Sequence, residues 1–84
     1  MVRTVRKGRW LYAGAVESEV HILQSAERQF EDGEESLVPP FFYVEWHVPG
    51  KPAEVASTVG AFATAEAAVE HAQAATAGMI VWEP

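Results

Sequence analysis

Cysteine is absent from this chain of 84 residues, and aspartate occurs once, at Asp32. The absence of cysteine excludes a disulfide framework and any thiolate chemistry. No uncharged run holds the ~18–20 apolar residues that a membrane span needs. The apolar stretch behind the N-terminal basic residues is shorter than the ~7 residues of a signal-peptide core, and no lipidation motif is present. We therefore expect a cytoplasmic protein that does not associate with membranes.

Length and composition favour one small folded domain. A chain of 84 residues fits a single domain, and 49% of its residues are hydrophobic, including three Trp and four Phe. That content argues against a disordered chain. A chain of this size removes somewhat over ~60% of its unfolded-state surface from water, so we expect a thin core.

Charge is distributed unevenly along the chain. Residues 1–9 hold four of the six Lys and Arg residues, whereas residues 10–84 hold two basic and twelve acidic residues. The four basic residues are Arg3, Arg6, Lys7 and Arg9. Short charged termini are commonly unstructured. We therefore predict a flexible basic N-terminal arm over residues 1–9 and a single α+β domain over residues 10–84.

Alternation of apolar and polar residues predicts short strands. They cover residues 20–25, 41–48, 54–60 and 79–83. A Pro-Gly-Lys-Pro turn at 49–52 separates the second strand from the third, so we expect these two to pair as an antiparallel hairpin. The acidic segment 29–40, which ends in two prolines, is predicted to be a long loop.

One helix is predicted over residues 65–77, which contain seven alanines. Thr64 is a good N-cap because its hydroxyl can accept a hydrogen bond from a first-turn amide, and Gly78 is a typical helix end. The alanines at three- and four-residue spacing face inward, so large sheet residues must fill the remaining volume. We expect these to be Phe42, Trp46, Val59, Ile80 and Trp82. The expected fold is α+β: a mostly antiparallel sheet of three to four strands (β-β-β-α-β) with one Ala-rich helix packed on one face.

The strand predicted over residues 41–48 carries aromatic residues on both faces. Side chains alternate along a strand, so the even-numbered positions face the helix and the odd-numbered positions point away. One helix covers only one face, so the N-terminal segment, a second subunit or a ligand must cover the other. This favours a small protein that acts by association, as a homodimer or as a module that binds a protein partner. The predicted interface residues are Phe41, Tyr43, His47, Trp10 and Tyr12.

Single-stranded nucleic acid is an alternative partner. Bases stack on aromatic side chains of a sheet face, and a basic arm contacts phosphates. This interface would combine Phe41 and Tyr43 with the basic residues of the predicted arm. Glu45 on the same face and the acidic body oppose a polyanion, so we do not expect nucleic acid to be the partner.

A small metal-dependent protein is a second alternative. Glu45 and His47 share a strand face, and His21 is expected to face the same way on a neighbouring strand. The chain has no His-x-His, His-x-x-x-His or cysteine pair, and a strand histidine beside a glutamate is commonly a cross-strand polar contact. We therefore expect no metal, no cofactor and no catalytic residue, and we do not expect an enzyme.

A family resemblance covers segment 54–73, about a quarter of the chain. Residues 56–68 read Ala-Ser-Thr-Val-Gly-Ala-Phe-Ala-Thr-Ala-Glu-Ala-Ala. A strand, a small residue, Phe, a Thr cap and an alanine-rich helix in this order resemble the strand–helix corner of small uncharacterised bacterial domains of the YegP type. The resemblance implies a compact three-stranded sheet with a packed helix, self-association and no catalytic residue. The aromatic strand and the acidic segment before this corner depart from the YegP pattern.

Overall fold

The computed structural model describes residues 2–25, 28–31, 34–37 and 41–84 of the chain. These residues form strands and one helix. In chain order they are β1 (Val2–Tyr12), β2 (Val16–Ser25), β3 (Arg28–Glu31), β4 (Glu34–Leu37), β5 (Phe41–Val48), β6 (Lys51–Phe62), α1 (Ala65–Ala75) and β7 (Val81–Trp82).

Five strands form one antiparallel sheet in the spatial order β6-β5-β2-β1-β7. β3 and β4 form a separate antiparallel pair. The predicted α+β class and the antiparallel sheet are confirmed, and the predicted order β-β-β-α-β corresponds to β2, β5, β6, α1 and β7. The main sheet has five strands rather than three to four. The segment 29–40, which was predicted to be a long loop, contains β4 and most of β3. Positions 32, 33 and 38–40 of this segment lie outside the described residues.

The additional strand is β1, which includes most of the segment predicted as a flexible arm. It pairs antiparallel along β2. The strand pattern of β1 is hard to recognise in the sequence for two reasons. The residue of β1 that lies opposite Val20 on the core side is a glycine, Gly8. In addition, the register of β1 against β2 shifts between Thr4 and Arg6. A glycine and an irregularity at core-facing positions remove the apolar period that identifies a strand.

Gly8 allows the C-terminal segment to approach β1 closely. A Cβ at this position would lie 2.6 Å from Ile80 Cγ2 and 2.8 Å from Trp82 Cε3. Both distances are shorter than van der Waals contact, so any larger residue would push the C-terminal segment away. The glycine therefore lets Ile80 and Trp82 reach the core.

The core lies between the sheet and one side of α1. Its buried members are Val20, Ile22, Val44, Ala68, Ala72 and Ile80. The partly buried side chains of Phe42, Trp46, Val59 and Trp82 pack against this cluster. The expected fit of small helix residues against large sheet residues is confirmed, because the alanines let α1 lie close to the sheet while the larger side chains fill the volume.

The observed ends of α1 lie close to the ends predicted from the sequence. Thr64 Oγ1 accepts a hydrogen bond from the Ala67 backbone N–H at 3.1 Å, which confirms the predicted N-cap. The helix ends at Ala75 rather than at residue 77, because Ala77 (φ 53°) and Gly78 (φ 77°) adopt left-handed backbone conformations. No helix among the described residues combines the length and the apolar character needed to cross a bilayer.

The helix packs on one face of the five-stranded sheet, and the opposite face is termed the open face. Even-numbered residues of β5 pack toward the core, and its odd-numbered residues lie on the open face. Trp10 and Tyr12, which were predicted to belong to the same interface as Phe41, Tyr43 and His47, do not lie over the open face. The Trp10 ring packs on the helix side, 6.0 Å from the Trp46 ring, and the Tyr12 ring lies 5.8 Å from Trp10. The described residues contain no second helix to cover the open face.

Replacing Ala72 with leucine is expected to lower the free energy of unfolding by about 1–3 kcal/mol, because the larger side chain overpacks the contact between helix and sheet. Ala74 is exposed on the same helix, so Ala74→Leu is the control and should change stability by less than about 0.5 kcal/mol. Urea unfolding followed by circular dichroism measures both values. Equal losses in the two variants would contradict the close packing at Ala72.

Candidate metal centre on the open face

Two neighbouring strands bring three potential metal ligands together on the open face. His21 of β2 lies directly opposite Glu45 of β5, and His47 is two residues further along β5 and so shares its face. One ligand atom from each of the three residues lies within 4.8 Å of the other two. These residues are termed the His–Glu–His cluster, and the described part of the chain has no other group of three His, Cys, Asp or Glu residues so arranged.

Glu45 lies between the two histidines. Its Oε1 atom is 2.9 Å from His47 Nε2 and 3.7 Å from His21 Nδ1. The two imidazole centroids are 4.1 Å apart. Side-chain exposure is 6% for His47, 14% for His21 and 21% for Glu45. The cluster is therefore largely removed from water, although no helix among the described residues covers this face.

The backbone of β6 determines which nitrogen of His47 carries a proton. His47 Nδ1 lies 2.7 Å from the Pro52 carbonyl oxygen. A carbonyl only accepts hydrogen bonds, so Nδ1 must be the donor. The other ring nitrogen, Nε2, lies 2.9 Å from Glu45 Oε1. A carboxylate also only accepts hydrogen bonds, so Nε2 donates to it when the ring carries two protons and presents an unshared electron pair when the imidazole is neutral.

A glutamate of β2 orients His21 in a similar way. His21 Nε2 lies 3.0 Å from Glu19 Oε1 and donates a hydrogen bond to it. The other ring nitrogen, Nδ1, faces Glu45 Oε1 at 3.7 Å, which is too long for a hydrogen bond. His21 therefore also turns an unshared electron pair toward the centre of the cluster.

With both histidines neutral, three electron pairs converge at one place, from His21 Nδ1, His47 Nε2 and Glu45 Oε1. Electron-rich atoms in a poorly hydrated site are stabilised by a positive charge, which is either a proton on a histidine or a metal ion. Histidines that bind metals typically donate their second N–H to a carboxylate or a backbone carbonyl. Glu19 and Pro52 supply one acceptor of each kind.

The sequence predicts part of this centre. It predicts that Glu45 and His47 share a face, and the β2–β5 register adds His21 to them as expected. Glu19 and Pro52 were missed. A signal for Glu19 is present, because Glu-x-His occurs twice, at 19–21 and 45–47. When two neighbouring strands each carry a glutamate and a histidine two positions apart, all four side chains can lie on the same face of the sheet.

The basic residues near the N-terminus do not form one surface. Lys7 and Arg9 lie on the open face of β1, whereas Arg6 lies on the helix side, 5.5 Å from the Trp82 ring centroid. Arg3 donates a hydrogen bond to a glutamine side chain of β2 at 2.9 Å. Pairing in β1 therefore divides the cations that a nucleic-acid interface was expected to combine.

The predicted aromatic interface is also divided. Phe41 and Tyr43 lie on the open face and are half-buried, and His47 on that face is buried. Trp10 is half-buried and Tyr12 is exposed, and both lie toward the helix side. These five residues do not form a single surface.

Comparison with protein-family models, with curated proteins and with solved structures finds no match for this chain. The resemblance to YegP-type domains therefore stays a prediction. A functional proposal must be drawn from the contacts within this chain.

We expect a proton on Nδ1 of His47 in the metal-free protein, because the Pro52 carbonyl can only accept a hydrogen bond. Long-range ¹H–¹⁵N correlation spectra of the imidazole rings measure this directly. His21 should carry a proton on Nε2 for the same reason, with Glu19 as the acceptor. An unprotonated Nδ1 in His47 would contradict the orientation described above.

Proposed function

We propose that this protein binds a divalent transition-metal ion, with zinc as the preferred ion, through His21, Glu45 and His47. The observation that carries the proposal is that one possible ligand atom from each of these three residues lies within 4.8 Å of the other two in a largely buried cluster. Both histidines already have an acceptor for their second ring nitrogen. A simple polar contact between a histidine and a glutamate does not require this outer set of partners.

The separations within the cluster suit a zinc ion. Zinc binds histidine nitrogen at about 2.0–2.1 Å and carboxylate oxygen at about 2.0–2.2 Å, so ligands at tetrahedral positions lie about 3.3 Å apart. The two distances from Glu45 Oε1, 2.9 Å and 3.7 Å, lie on either side of that value.

The ligand types narrow the choice of ion. Imidazole nitrogen suits zinc, copper, iron and nickel, whereas magnesium and calcium prefer oxygen ligands. Two histidines and one glutamate are a set that zinc enzymes also use. The ligands belong to neighbouring strands of one sheet, and ligands on regular elements are held more accurately than ligands on loops.

Zinc titrated into metal-free protein should bind one ion per chain in isothermal titration calorimetry, and magnesium should not bind. His21→Gln and Glu45→Gln should each weaken zinc binding by more than about 100-fold, because loss of a direct ligand exceeds the roughly 10–100-fold effect of losing an outer partner. Cobalt in place of zinc should give the visible absorption of a tetrahedral site.

His71→Gln is the matched control for these variants. His71 is exposed on α1, with its ring 5.2 Å from that of Phe62, and is not part of the cluster. This variant should keep the parental zinc affinity. Zinc affinity that is unchanged in His21→Gln and Glu45→Gln, or is reduced equally in His71→Gln, would contradict the proposal. Absence of zinc binding would leave the cluster as an ion pair with a protonated histidine.

Self-association is a second candidate function, and the exposed apolar residues support it. Five of the seven large hydrophobic residues that are exposed in the described part of the chain lie around one corner of the sheet. They are Leu11, Tyr12, Val16, Met79 and Val81, here termed the apolar corner. A groove of about 330 Å³ lies beside Leu11, Met79 and Val81. Leu11 and Val81 lie on the open face of this corner, whereas Tyr12 and Val16 lie on its helix side. Exposed apolar side chains grouped at one edge of a sheet are candidates for an interface.

A second copy of the chain fits the apolar corner. Arg9 and Glu17 line the groove, and their charged groups lie 3.7 Å apart. Their opposite charges offset each other at the groove, although the chain as a whole carries a net charge of −6. Two copies related by a two-fold axis would present the same surface to each other. Their approach would join apolar surfaces without bringing uncompensated like charges together.

Sedimentation velocity across a range of protein concentrations tests this association. We expect a concentration-dependent dimer for the parental chain and a monomer for Val81→Lys, because a charge at the apolar corner opposes its burial. Val55→Lys is the control, since Val55 is also exposed but lies on β6 at the opposite edge of the sheet. A parental chain that is monomeric at every concentration would reject the dimer.

A further inference from the structure

We propose that a metal ion in the His–Glu–His cluster takes a small oxyanion, of the phosphate or carboxylate class, as an additional ligand, and that Lys7 holds this anion. The inference rests on the proposed metal binding and adds the chemistry of the ligand that completes the site. It follows from the residues that flank the cluster and from the charge that the ion would add.

Three protein ligands leave the coordination of zinc incomplete. Zinc sites with three protein ligands keep a further position for water or for an exogenous ligand. The three ligands here project from the open face, and the described residues contain no second helix to close it. Glu45 keeps 21% of its side chain exposed, so the remaining position would be reached from the solvent on the side of Glu45.

One row of side chains crosses the sheet at the level of the cluster. The strand registers align Thr58 of β6 with Glu45, Glu45 with His21, and His21 with Lys7 of β1. Directly opposed residues in antiparallel strands have Cβ atoms about 4.5–5.5 Å apart. Thr58 and Lys7 thus flank the two central ligands in this row, and both residues are exposed.

These flanking groups favour an oxygen anion. The lysine ammonium is a donor without acceptor capacity, and the threonine hydroxyl can donate as well. Hydrogen bonds from a charged donor to an anionic oxygen are about twice as strong as neutral ones. An oxyanion that bonds the ion through one oxygen would have further oxygens available for Lys7 and Thr58.

The metal ion would also reverse the local charge. Without it, the carboxylates of Glu19 and Glu45 outweigh the single charge of Lys7, and this repels anions. A divalent ion makes the same group of residues net positive. Arg9 contributes little to this balance, because Glu17 lies 3.7 Å from it. Anion binding should therefore depend on the metal.

The test uses the 84-residue chain loaded with cobalt in a non-coordinating buffer, titrated separately with inorganic phosphate and with acetate. We expect the visible cobalt spectrum to shift and saturate with at least one of the two anions. Lys7→Gln should weaken this binding about tenfold, as expected for loss of one charge-assisted hydrogen bond. Lys51→Gln is the control, since Lys51 is also exposed but begins β6 at the sheet edge, and it should bind as the parent does.

Zinc affinity measured in anion-free buffer tests the metal proposal alone, so the two proposals can fail separately. A protein that binds zinc but whose cobalt spectrum responds to neither anion would overturn the oxyanion inference and leave the metal proposal intact. Anion binding to the metal-free chain, or an equal loss in Lys7→Gln and Lys51→Gln, would also overturn it. Tighter zinc binding in the presence of the effective anion would support it, because coupling between two ligands is reciprocal.

Discussion

The antiparallel register between β2 and β5 is the constraint on which both faces of this sheet depend. It aligns Val20 with Trp46 and Ile22 with Val44 on the helix side, and it aligns His21 with Glu45 on the open face. Full burial of one aliphatic side chain stabilises the fold by about 1.5–3 kcal/mol, whereas one hydrogen bond contributes about 0.5–1.5 kcal/mol. Burial on the helix side therefore selects the register, and the polar contacts on the other side follow from it. A shift by one residue would exchange the two sets of side chains.

The remaining elements keep the two faces different. α1 packs on one face only, and its buried alanines bring it close to the large side chains of β2 and β5. β1 extends the sheet and contributes residues to both sides, with Gly8 toward the C-terminal segment and Lys7 beside His21. One face is thus filled by apolar packing, while the other carries ionisable groups whose contacts lie within the sheet itself. This division explains how a small chain can combine a core and a polar centre.

Local patterns in the sequence predict a large part of this fold. The cap at Thr64, the alanine side of the helix and the two faces of β5 follow from residue type and spacing, because each depends on interactions within a few positions of the chain. β1 was not predicted, because its glycine and its irregularity conceal a pairing that is made with β2 and β7. The same limit applies to the candidate site. Spacing places Glu45 and His47 together, and the repeated Glu-x-His pattern marks Glu19, but the contact from the Pro52 carbonyl depends on a backbone position that no periodicity encodes.

The position of the cluster has a consequence for a chain that has no cysteine. His21 belongs to β2, and its two partners belong to β5. An ion bound by all three would therefore join residue 21 to residues 45 and 47, which segment 22–44 separates along the chain. Such an ion would act as a reversible cross-link. Closing a loop restricts the unfolded chain and so favours the folded one, and an ion that binds only the folded chain adds to its stability in proportion to the logarithm of the free ion concentration. The centre on the open face would then provide the covalent-like restraint that small domains commonly obtain from disulfides.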